Sequence, residues 1–219
     1  MNTTTNKPLI ENSTEKLRGK LLAPLEEFKP MLIIGIAGPA ESGKNLFADL
    51  LSAAILEESV TCDPLLVSFA SPIKQMLAAG LGLQDKDPRA EEIYGKTYRE
   101  LAQTLGTDWG RRMVGESIWV HSFIESYKNH KGILIVTDVR FANEARFIRS
   151  QGGAIIHMRR PNHEKIKEAQ HISEAGISMV FDMRDCLVTN DSDIDHLKKE
   201  AESLTSHIFN WIEEDAEEE

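Results

Sequence analysis

Short apolar runs alternate along the chain with longer stretches in which apolar residues recur at helical spacing. Five such runs are MLIIGIA (31–37), PLLVSFA (64–70), GILIVTD (132–138), GAIIHMR (153–159) and DCLVTN (185–190). Each run is bounded by polar or turn residues, which is typical of parallel strands buried on both faces. The pattern therefore predicts an α/β fold in which a mainly parallel five-stranded sheet lies between two layers of helices.

The main domain is predicted to span residues 31–212. Residues 1–30 are polar and weakly patterned, so we interpret them as an amino-terminal appendage. The last helix is predicted at 193–212, and it is followed at 213–219 by an acidic tail that carries six acidic side chains. The length of 219 residues suits one α/β domain with short appendages.

Two insertions are predicted at the carboxyl ends of strands. The first covers about 71–131 and is mostly helical, whereas the second, at about 161–182, mixes Lys, His and Glu with few large apolar residues. Open α/β sheets bind their ligands at this edge. Both insertions are therefore expected to border a ligand site.

The first apolar run leads into the sequence GPAESGKN, which begins at Gly38. Gly38, Gly43 and Lys44 satisfy the G-x-x-x-x-G-K pattern of phosphate-binding loops, and a helix is predicted from Lys44 to about Glu58. In such a loop, backbone N–H groups surround an anion and the lysine bridges the outer phosphates. The residues that we assign to nucleotide-phosphate binding are Gly38, Ser42, Gly43 and Lys44. The alternative is a chance match to a short pattern.

The position after the lysine departs from the usual pattern, because Asn45 stands where Ser or Thr would offer a hydroxyl to Mg²⁺. An asparagine can still supply an amide oxygen. Asp138 ends the run ILIVTD, at the carboxyl end of a predicted strand, where an Asp beside a phosphate loop holds Mg²⁺ or its water shell. We therefore assign Asn45 and Asp138 as metal ligands. The alternative role of an Asp after a strand is a turn or helix cap.

Moving a phosphoryl group between two phosphates gathers negative charge, so catalysis needs cations around the reacting group. Basic side chains occur at the predicted carboxyl ends of strands and in the first insertion: Arg140, Arg159, Arg160, Lys74, Arg99, Arg111 and Arg112. Of Arg111 and Arg112, one is expected to point inward and the other outward. Arg146 and Arg149, three apart in a predicted helix, are interpreted as a solvated face.

The formal charge of −10 depends heavily on the acidic tail, so the rest of the chain is only mildly acidic. This balance disfavours non-specific nucleic-acid binding, which requires clustered Lys and Arg. Cys62 and Cys186 are too few for a disulfide framework and suit a reducing compartment. No apolar run has the length of a membrane span, and residues 1–16 lack the apolar core of a signal peptide. We expect a soluble cytoplasmic protein without nucleic-acid or membrane partners.

A series of motifs follows in order from about Met31 to Leu204: GPAESGKNLFADLL, FASPIKQMLAAGLGL, YRELAQTLGTDWGRR, TDVRFANEARFIRSQGGAIIHMRRP, HISEAG and LVTND. Together they resemble the bacteriophage deoxynucleoside monophosphate kinases. The resemblance implies the three-layer α/β/α P-loop NTPase fold in its nucleoside monophosphate kinase variant, with a helical NMP-binding insertion and a lid. It also implies transfer of the γ-phosphoryl group of ATP, with Mg²⁺, to a deoxynucleoside monophosphate.

The resemblance also implies which residues hold the acceptor nucleotide. Those of the first insertion are Lys74, Arg99, Gly106 and Thr107, which would meet the monophosphate, and Trp119, which would lie near its sugar or base. The second insertion matches through HISE, but His171 and Glu174 have no assigned role. We therefore expect the acceptor to bind against the first insertion.

The reaction centre is implied by the motif DVRFANE, in which Asp138, Arg140 and Glu144 would line the site. Arg140 and Glu144 would also contact the substrate. Arg159 is expected to take part in catalysis, and Arg160 to bind ATP at the base of the lid. Gly43, Lys44 and Asn45 would hold the phosphates of ATP, and Lys44 completes the catalytic set.

Other functions remain open at this point. One is a P-loop kinase of another phosphorylated metabolite, of the phosphomevalonate or dephospho-coenzyme A type. Another is a non-catalytic nucleotide-binding module or switch, although TNDSD at 189–193 lacks the lysine of the guanine-recognition pattern N-K-x-D. The oligomeric state is open as well, and a homodimer is among the states that the sequence allows.

Overall fold

The computed structural model describes residues 28–161, 177–180 and 184–218. In this part of the chain, five strands run parallel in the order β2-β3-β1-β4-β5. They are β1 (Leu32–Ala37), β2 (Leu65–Val67), β3 (Ile133–Val139), β4 (Ala154–Arg159) and β5 (Cys186–Thr189). Each strand lies within one of the apolar runs, so the predicted parallel five-stranded sheet is confirmed.

Helices cover both faces of this sheet and fill the first insertion. In chain order they are α1 (Lys44–Glu58), α2 (Ser71–Leu81), α3 (Arg89–Tyr94), α4 (Tyr98–Gln103), α5 (Ile118–Tyr127), α6 (Ala142–Ser150) and α7 (Ile194–Glu218), with a π-helix (Thr104–Val114) between α4 and α5 and a 3₁₀ turn (Val60–Cys62) after α1. α1 has the bounds predicted from the sequence. The α/β class, with a strand, a glycine loop and a helix in direct succession, is therefore confirmed.

One face of the sheet packs against α1 and α7. Leu32, Ile34 and Ile36 of β1 point to this side and are buried with Phe47 and Leu51 of α1. The spacing of two along β1 follows from the pleat, which sends successive side chains to opposite faces. α1, which starts at the glycine loop, is thus held rigidly on the sheet.

The other face packs against α5 and α6 through an aromatic cluster. The ring of Phe28 lies 6.1 Å from that of Phe123 in α5 and 5.8 Å from that of Phe147 in α6, measured between centroids. Ile33 of β1 is buried in the same core. Phe28 belongs to the segment predicted as an appendage, yet it is a core residue, so the folded domain includes it.

α7 continues to Glu218, well beyond the predicted helix end at residue 212. Acidic side chains near a helix carboxyl terminus oppose the helix dipole, so this extension needs compensation. Arg184 supplies it, because Nη1 and Nη2 each donate to the Asp215 carboxylate at 2.7 Å. The guanidinium also lies over the Trp211 ring, with Cζ 5.7 Å from the centroid.

Arg149 does not lie on a solvated face, and this part of the sequence interpretation is wrong. Arg146 is exposed, but the Arg149 side chain is only 12% exposed and its Nη2 donates to Asp185 at 2.6 Å. His157 Nε2 lies 3.0 Å from the same carboxylate. Although burial opposes the shift, hydrogen bonds from Arg149, the Val180 backbone and His157 lower the pKa of Asp185. The acidic partner follows Arg149 by 36 residues, so helical spacing alone could not reveal it.

Parts of the predicted organisation fall outside the described residues. These are residues 1–27 of the appendage and most of the lid predicted at about 161–182, including His171 and Glu174. Among the helices that are described, none is both long enough and apolar enough to cross a membrane.

Gly132 tests how tightly the start of β3 is packed. An ideal Cβ there would lie 2.5 Å from the Asp63 carbonyl oxygen and in contact with the Cys62 carbonyl oxygen. Backbone atoms cannot rotate away, so we expect Gly132→Ala to lower the free energy of unfolding by ~1–3 kcal/mol. Thermal denaturation should then show a Tm several degrees lower.

The matched control is Gly80→Ala in α2. A Cβ at Gly80 meets no atom within 4 Å, and alanine is the better helix former. This variant should leave Tm unchanged or raise it. A Tm for Gly132→Ala that equals the wild-type value would contradict the packing described for β3.

Candidate active site

The loop between β1 and α1 turns at two glycines. Gly38 has φ = 152° and Gly43 has φ = 97°, both of which favour glycine. An ideal Cβ on Gly38 would lie 2.6 Å from the Met158 carbonyl oxygen, and one on Gly43 would lie 2.5 Å from Asn190 Nδ2. α1 begins directly after Gly43, so the loop ends at a helix amino terminus, whose unpaired N–H groups favour an anion.

Two side chains of the loop also fit an anion. Lys44 folds over the loop, where Nζ donates to the carbonyl oxygens of Gly38 at 2.9 Å and Pro39 at 2.6 Å. Ser42 is buried, and its Oγ has no hydrogen-bond partner among the described residues. A buried hydroxyl without a partner is costly, and a phosphate in the loop could accept from it. The residues present therefore fit nucleotide phosphates, while the role of each ligand stays a prediction.

Asn190 anchors this loop from the end of β5. Its Nδ2 donates to the Ser42 carbonyl oxygen at 3.0 Å, and its backbone N–H donates to the Arg159 carbonyl oxygen at 2.7 Å. The loop is thereby tied to both β4 and β5. Asn190 was not among the predicted site residues, although it follows a buried run, which is the signal that singled out Asp138.

Asp138, near the end of β3, holds the start of the first insertion. Its Oδ2 accepts from Ser68 Oγ at 2.6 Å and from the Ala70 N–H at 3.0 Å, and its Oδ1 accepts from the Phe69 N–H at 2.8 Å. α2 begins at Ser71, so the carboxylate fixes the turn that enters this helix. This contact with a turn about 70 residues earlier in the chain differs from the local turn or helix cap that the sequence left as an alternative, and metal binding stays a prediction.

A cavity of about 940 Å³ lies along the edge where the strands end. Predicted site residues that line it are Gly43, Lys44, Asn45, Lys74, Arg99, Gly106, Thr107, Asp138, Arg140 and Glu144. Those that do not line it are Gly38, Ser42, Trp119, Arg159 and Arg160. The loop lysine and the carboxylate of β3 therefore share one cavity with the basic residues of the first insertion.

Glu144 lies under this cavity and is 2% exposed. Its Oε2 accepts from the backbone N–H groups of Arg140 at 2.9 Å and Phe141 at 3.0 Å, and its Oε1 forms a short ion pair with Arg111 Nη2. Glu144 was predicted to contact substrate. Through these hydrogen bonds it positions Arg140 and Arg111, and contact with substrate stays a prediction.

Arg111 points inward and Arg112 outward, as expected of this pair. The Arg111 side chain is 10% exposed, its Nη1 donates to the Gly106 carbonyl oxygen at 3.2 Å, and its Cζ lies 3.7 Å from the centre of the Phe141 ring. Arg112 is exposed and pairs with Asp108. Arg111 lines the cavity, so it is a site residue that the sequence marked only as one of several candidate cations.

Burial governs the electrostatics of the Arg111–Glu144 pair. Desolvation, together with the charge of nearby Asp138, raises the pKa of Glu144 to about 7, against the opposing effect of Arg111. Desolvation likewise lowers the pKa of Arg111, although the carboxylates of Glu144 and Asp138 oppose it. The pair is held in place by the protein at a cost in solvation, which is common at functional sites.

Trp119 does not face the cavity, and the prediction that it lies near the sugar or base is wrong. Its ring is 3% exposed and packs in a core with Ile73 and Leu77 of α2, and its Nε1 donates to the Gly106 carbonyl oxygen at 2.7 Å. An ideal Cβ on Gly110 would lie 2.5 Å from the same ring. Trp119 therefore packs against the π-helix and does not line the cavity.

The remaining predicted cations lie at two edges of the site. Arg160 is exposed and its Nη1 donates to the Glu41 carbonyl oxygen of the loop at 3.3 Å, while Arg159 is exposed at the end of β4. Lys74 pairs with Asp85 across the first insertion at 2.7 Å. The residues of the predicted lid that would border Arg159 and Arg160 are outside the described part of the chain.

The predicted metal ligands line the cavity but do not form a cage. Among the described residues, no group of three or more His, Cys, Asp and Glu side chains is placed to hold a metal ion. Asp138 already accepts three hydrogen bonds, which leaves little of its capacity of about four. The residues present fit Mg²⁺ held largely by water and phosphate oxygens, as is usual for this ion.

The chain is similar to one protein-family model and to several known proteins. A family model described as deoxynucleotide monophosphate kinase matches residues 90–201. A protein of Acanthamoeba polyphaga mimivirus, whose name assigns it to the deoxynucleotide monophosphate kinases, is 30% identical over 154 residues, covering 60% of this chain and 75% of that protein. A deoxynucleoside-5′-monophosphate kinase of Escherichia phage T5 is 29% identical over 108 residues, covering 47% of this chain and 43% of the phage protein.

Among solved structures, a gluconokinase from Sinorhizobium meliloti 1021 covers 82% of this chain and 94% of its own, with a TM-score of 0.43 and 12% identity. The family assignment depends instead on the sequence matches. The family model spans more than half of the 219 residues and includes the π-helix, Asp138, Arg140 and Glu144. The chain belongs to the deoxynucleotide monophosphate kinase family.

Proposed function

We propose that this protein transfers the γ-phosphoryl group of ATP to a deoxynucleoside monophosphate and releases ADP and a deoxynucleoside diphosphate. One observation carries the proposal: a single cavity is lined at one end by the glycine loop with Lys44 and at the other by the basic residues of the first insertion. Such a cavity can hold two anionic ligands with their phosphates facing each other. Family membership then favours a nucleotide as the acceptor.

The donor would bind at the glycine loop. Backbone N–H groups at the start of α1 would hold its phosphates, and Lys44 would turn from the loop carbonyls to the outer phosphates. The acceptor would bind between α2, α4 and the π-helix, with Lys74 and Arg99 available to its phosphate. Arg140 also lines the cavity and its backbone is held by Glu144, so we assign it to the transferred group.

The transfer itself needs no general base. An oxygen of the acceptor phosphate, already ionised at neutral pH, would attack the γ-phosphorus, and the bond to the bridging oxygen of ADP would break with its electron pair. Catalysis then depends on positioning and on compensation of charge. Arg111, held by Glu144 and over Phe141, adds a fixed positive charge to that set.

Mg²⁺, when bound, would supply further charge compensation for the phosphates. Asn45 and Asp138 are the residues proposed to hold it, Asn45 through its amide oxygen and Asp138 through water. ATP and Mg²⁺ are therefore the proposed co-substrate and cofactor.

The proposal is tested with purified protein, ATP and a panel of nucleoside monophosphates, with phosphomevalonate and dephospho-coenzyme A as further acceptors. We expect Lys44→Ala to lower kcat/KM by at least about 10²-fold, because a charge that meets the outer phosphates is lost. The control is Lys198→Ala on the exposed face of α7, which should have wild-type activity. Turnover of a non-nucleotide acceptor alone, or full activity of Lys44→Ala, would refute the proposal.

Glu144→Gln tests the anchoring of the two arginines. Glutamine keeps an acceptor for the backbone N–H groups but removes the charge that holds Arg111, so kcat measured well above pH 7, where the carboxyl is ionised, should fall about tenfold or more. The free energy of unfolding should fall by on the order of 1–3 kcal/mol, since Arg111 keeps a buried charge with one fewer partner. Glu125→Gln on the exposed face of α5 is the matched control and should change neither value. Unchanged kcat in Glu144→Gln would exclude the anchoring role.

Asn45 variants test the metal assignment. Asn45→Asp adds a carboxylate, so the Mg²⁺ concentration that gives half-maximal activity should fall, and Asn45→Ala should raise it. Both are read from Mg²⁺ titrations at saturating ATP. Identical titration curves for the three proteins would remove Asn45 from the proposed metal site.

A further inference from the structure

The hydroxyl of Tyr98 has no hydrogen-bond partner among the described residues, although it is buried. Four buried side-chain polar atoms of the described residues share this property, and two belong to residues that line the cavity: Arg111 Nε and the Tyr98 hydroxyl. Buried polar groups are nearly always satisfied in folded proteins, so each exception needs an explanation. One such explanation is a ligand that forms the missing hydrogen bond when it binds in the cavity.

Tyr98 is held rigidly from both sides. Its ring packs in the core formed by Ile73 and Leu77 of α2 and by Trp119. It is the first residue of α4, directly after Thr97, which forms a reciprocal capping box with Glu100. The hydroxyl is therefore preorganised, and no other protein group in the described structure uses it.

The charges that act on this hydroxyl are those of Asp85 and Lys74, which line the same cavity. Burial chiefly, and the Asp85 charge in addition, raise the pKa of Tyr98, while Lys74 opposes the shift, so the phenol stays a neutral donor at physiological pH. Lys74 and Asp85 form an ion pair at 2.7 Å in which each side chain is about half exposed, at 49% and 48%. Pairs this exposed contribute little to stability, so a ligand can replace one partner at low cost.

The charges divide this end of the cavity into two parts. Lys74 and Arg99 are suited to a phosphate, whereas the carboxylate of Asp85 repels one. A carboxylate beside a neutral phenol suits a neutral hydroxyl, which can donate to the first and accept from the second. The one free sugar hydroxyl of every deoxynucleoside monophosphate is the 3′-hydroxyl.

We propose that Tyr98 and Asp85 bind the 3′-hydroxyl of the acceptor nucleotide, once Lys74 has turned from Asp85 to the acceptor phosphate. The proposal rests on the kinase function proposed above and specifies how that cavity holds the sugar. Tyr98 and Asp85 would then be specificity-determining residues. They would favour acceptors that carry a hydroxyl at the position of the sugar 3′-hydroxyl relative to the phosphate.

Tyr98→Phe in the full chain tests this assignment. The removed hydroxyl has no described protein partner, so Tm should stay at the wild-type value or rise. KM for the deoxynucleoside monophosphate should rise about 3- to 10-fold, with kcat and the KM for ATP within about twofold. Tyr127→Phe, which packs on Phe123 away from the cavity, is the matched control and should leave these constants unchanged. A purely structural role for Tyr98 would lower Tm instead, and an unchanged KM would overturn the proposal.

A second arm identifies the contacted group by pairing the variant with a 2′,3′-dideoxynucleoside monophosphate of the same base. Wild-type protein should bind this acceptor more weakly than the deoxynucleoside monophosphate. Tyr98→Phe should bind the dideoxy acceptor as well as wild-type protein does, because that acceptor has no 3′-hydroxyl for Tyr98 to contact. If Tyr98→Phe instead loses the same affinity, relative to wild-type protein, for both acceptors, then Tyr98 contacts the base or the phosphate. That result would overturn the proposal. If wild-type protein neither binds nor phosphorylates any deoxynucleoside monophosphate, the kinase function itself is overturned. The wild-type measurements alone show this, so the two failures can be distinguished.

Discussion

The pairing of β1 with β3 is the constraint on which the site depends. Its register places Ala37 opposite Val139, so the glycine loop and Asp138 leave the sheet side by side. Parallel strands make this possible, because their carboxyl ends meet at one edge, and the helices that return the chain occupy the faces. A shift of one residue would turn Ile33 and Ile34 to the wrong cores and separate the loop from the carboxylate.

Buried and partly buried polar side chains make that edge a rigid frame. Asp138 holds the entry to α2, Glu144 holds the start of α6 and Arg111, and Asn190 holds the loop to β5. Each group satisfies backbone N–H or carbonyl groups that would otherwise be buried without partners, where they would cost more than a surface hydrogen bond returns. The frame therefore exists before any ligand binds, which lowers the cost of ordering the site on binding.

Sequence reasoning located the strands and α1 because their signals are local. Apolar runs of fixed length and the spacing along Lys44–Glu58 depend on the segment itself. Trp119 and Arg149 were misassigned because their roles depend on partners elsewhere in the chain, Gly106 for Trp119 and Asp185 for Arg149. The π-helix also has no sequence signal in its spacing, and it is what brings Gly106 within reach of the Arg111 side chain. The motifs mark the segments that form the site, but they do not distinguish residues that would contact a ligand from residues that hold other side chains in place.

The two ends of the cavity differ in composition, because one is formed mainly by backbone and the other by side chains. This difference would affect which substrates each end accepts. The proposed donor end is formed by the backbone of the glycine loop, where a Cβ on Gly38 or Gly43 would meet other atoms, so it would recognise phosphate and little else. The proposed acceptor end is formed by side chains on α2, on α4 and on the segment between α2 and α3. Substitutions there change the chemistry of the surface without disturbing the sheet. Under the proposed function, substitutions at Tyr98 or Asp85 would therefore change the acceptor range while the donor site stays the same.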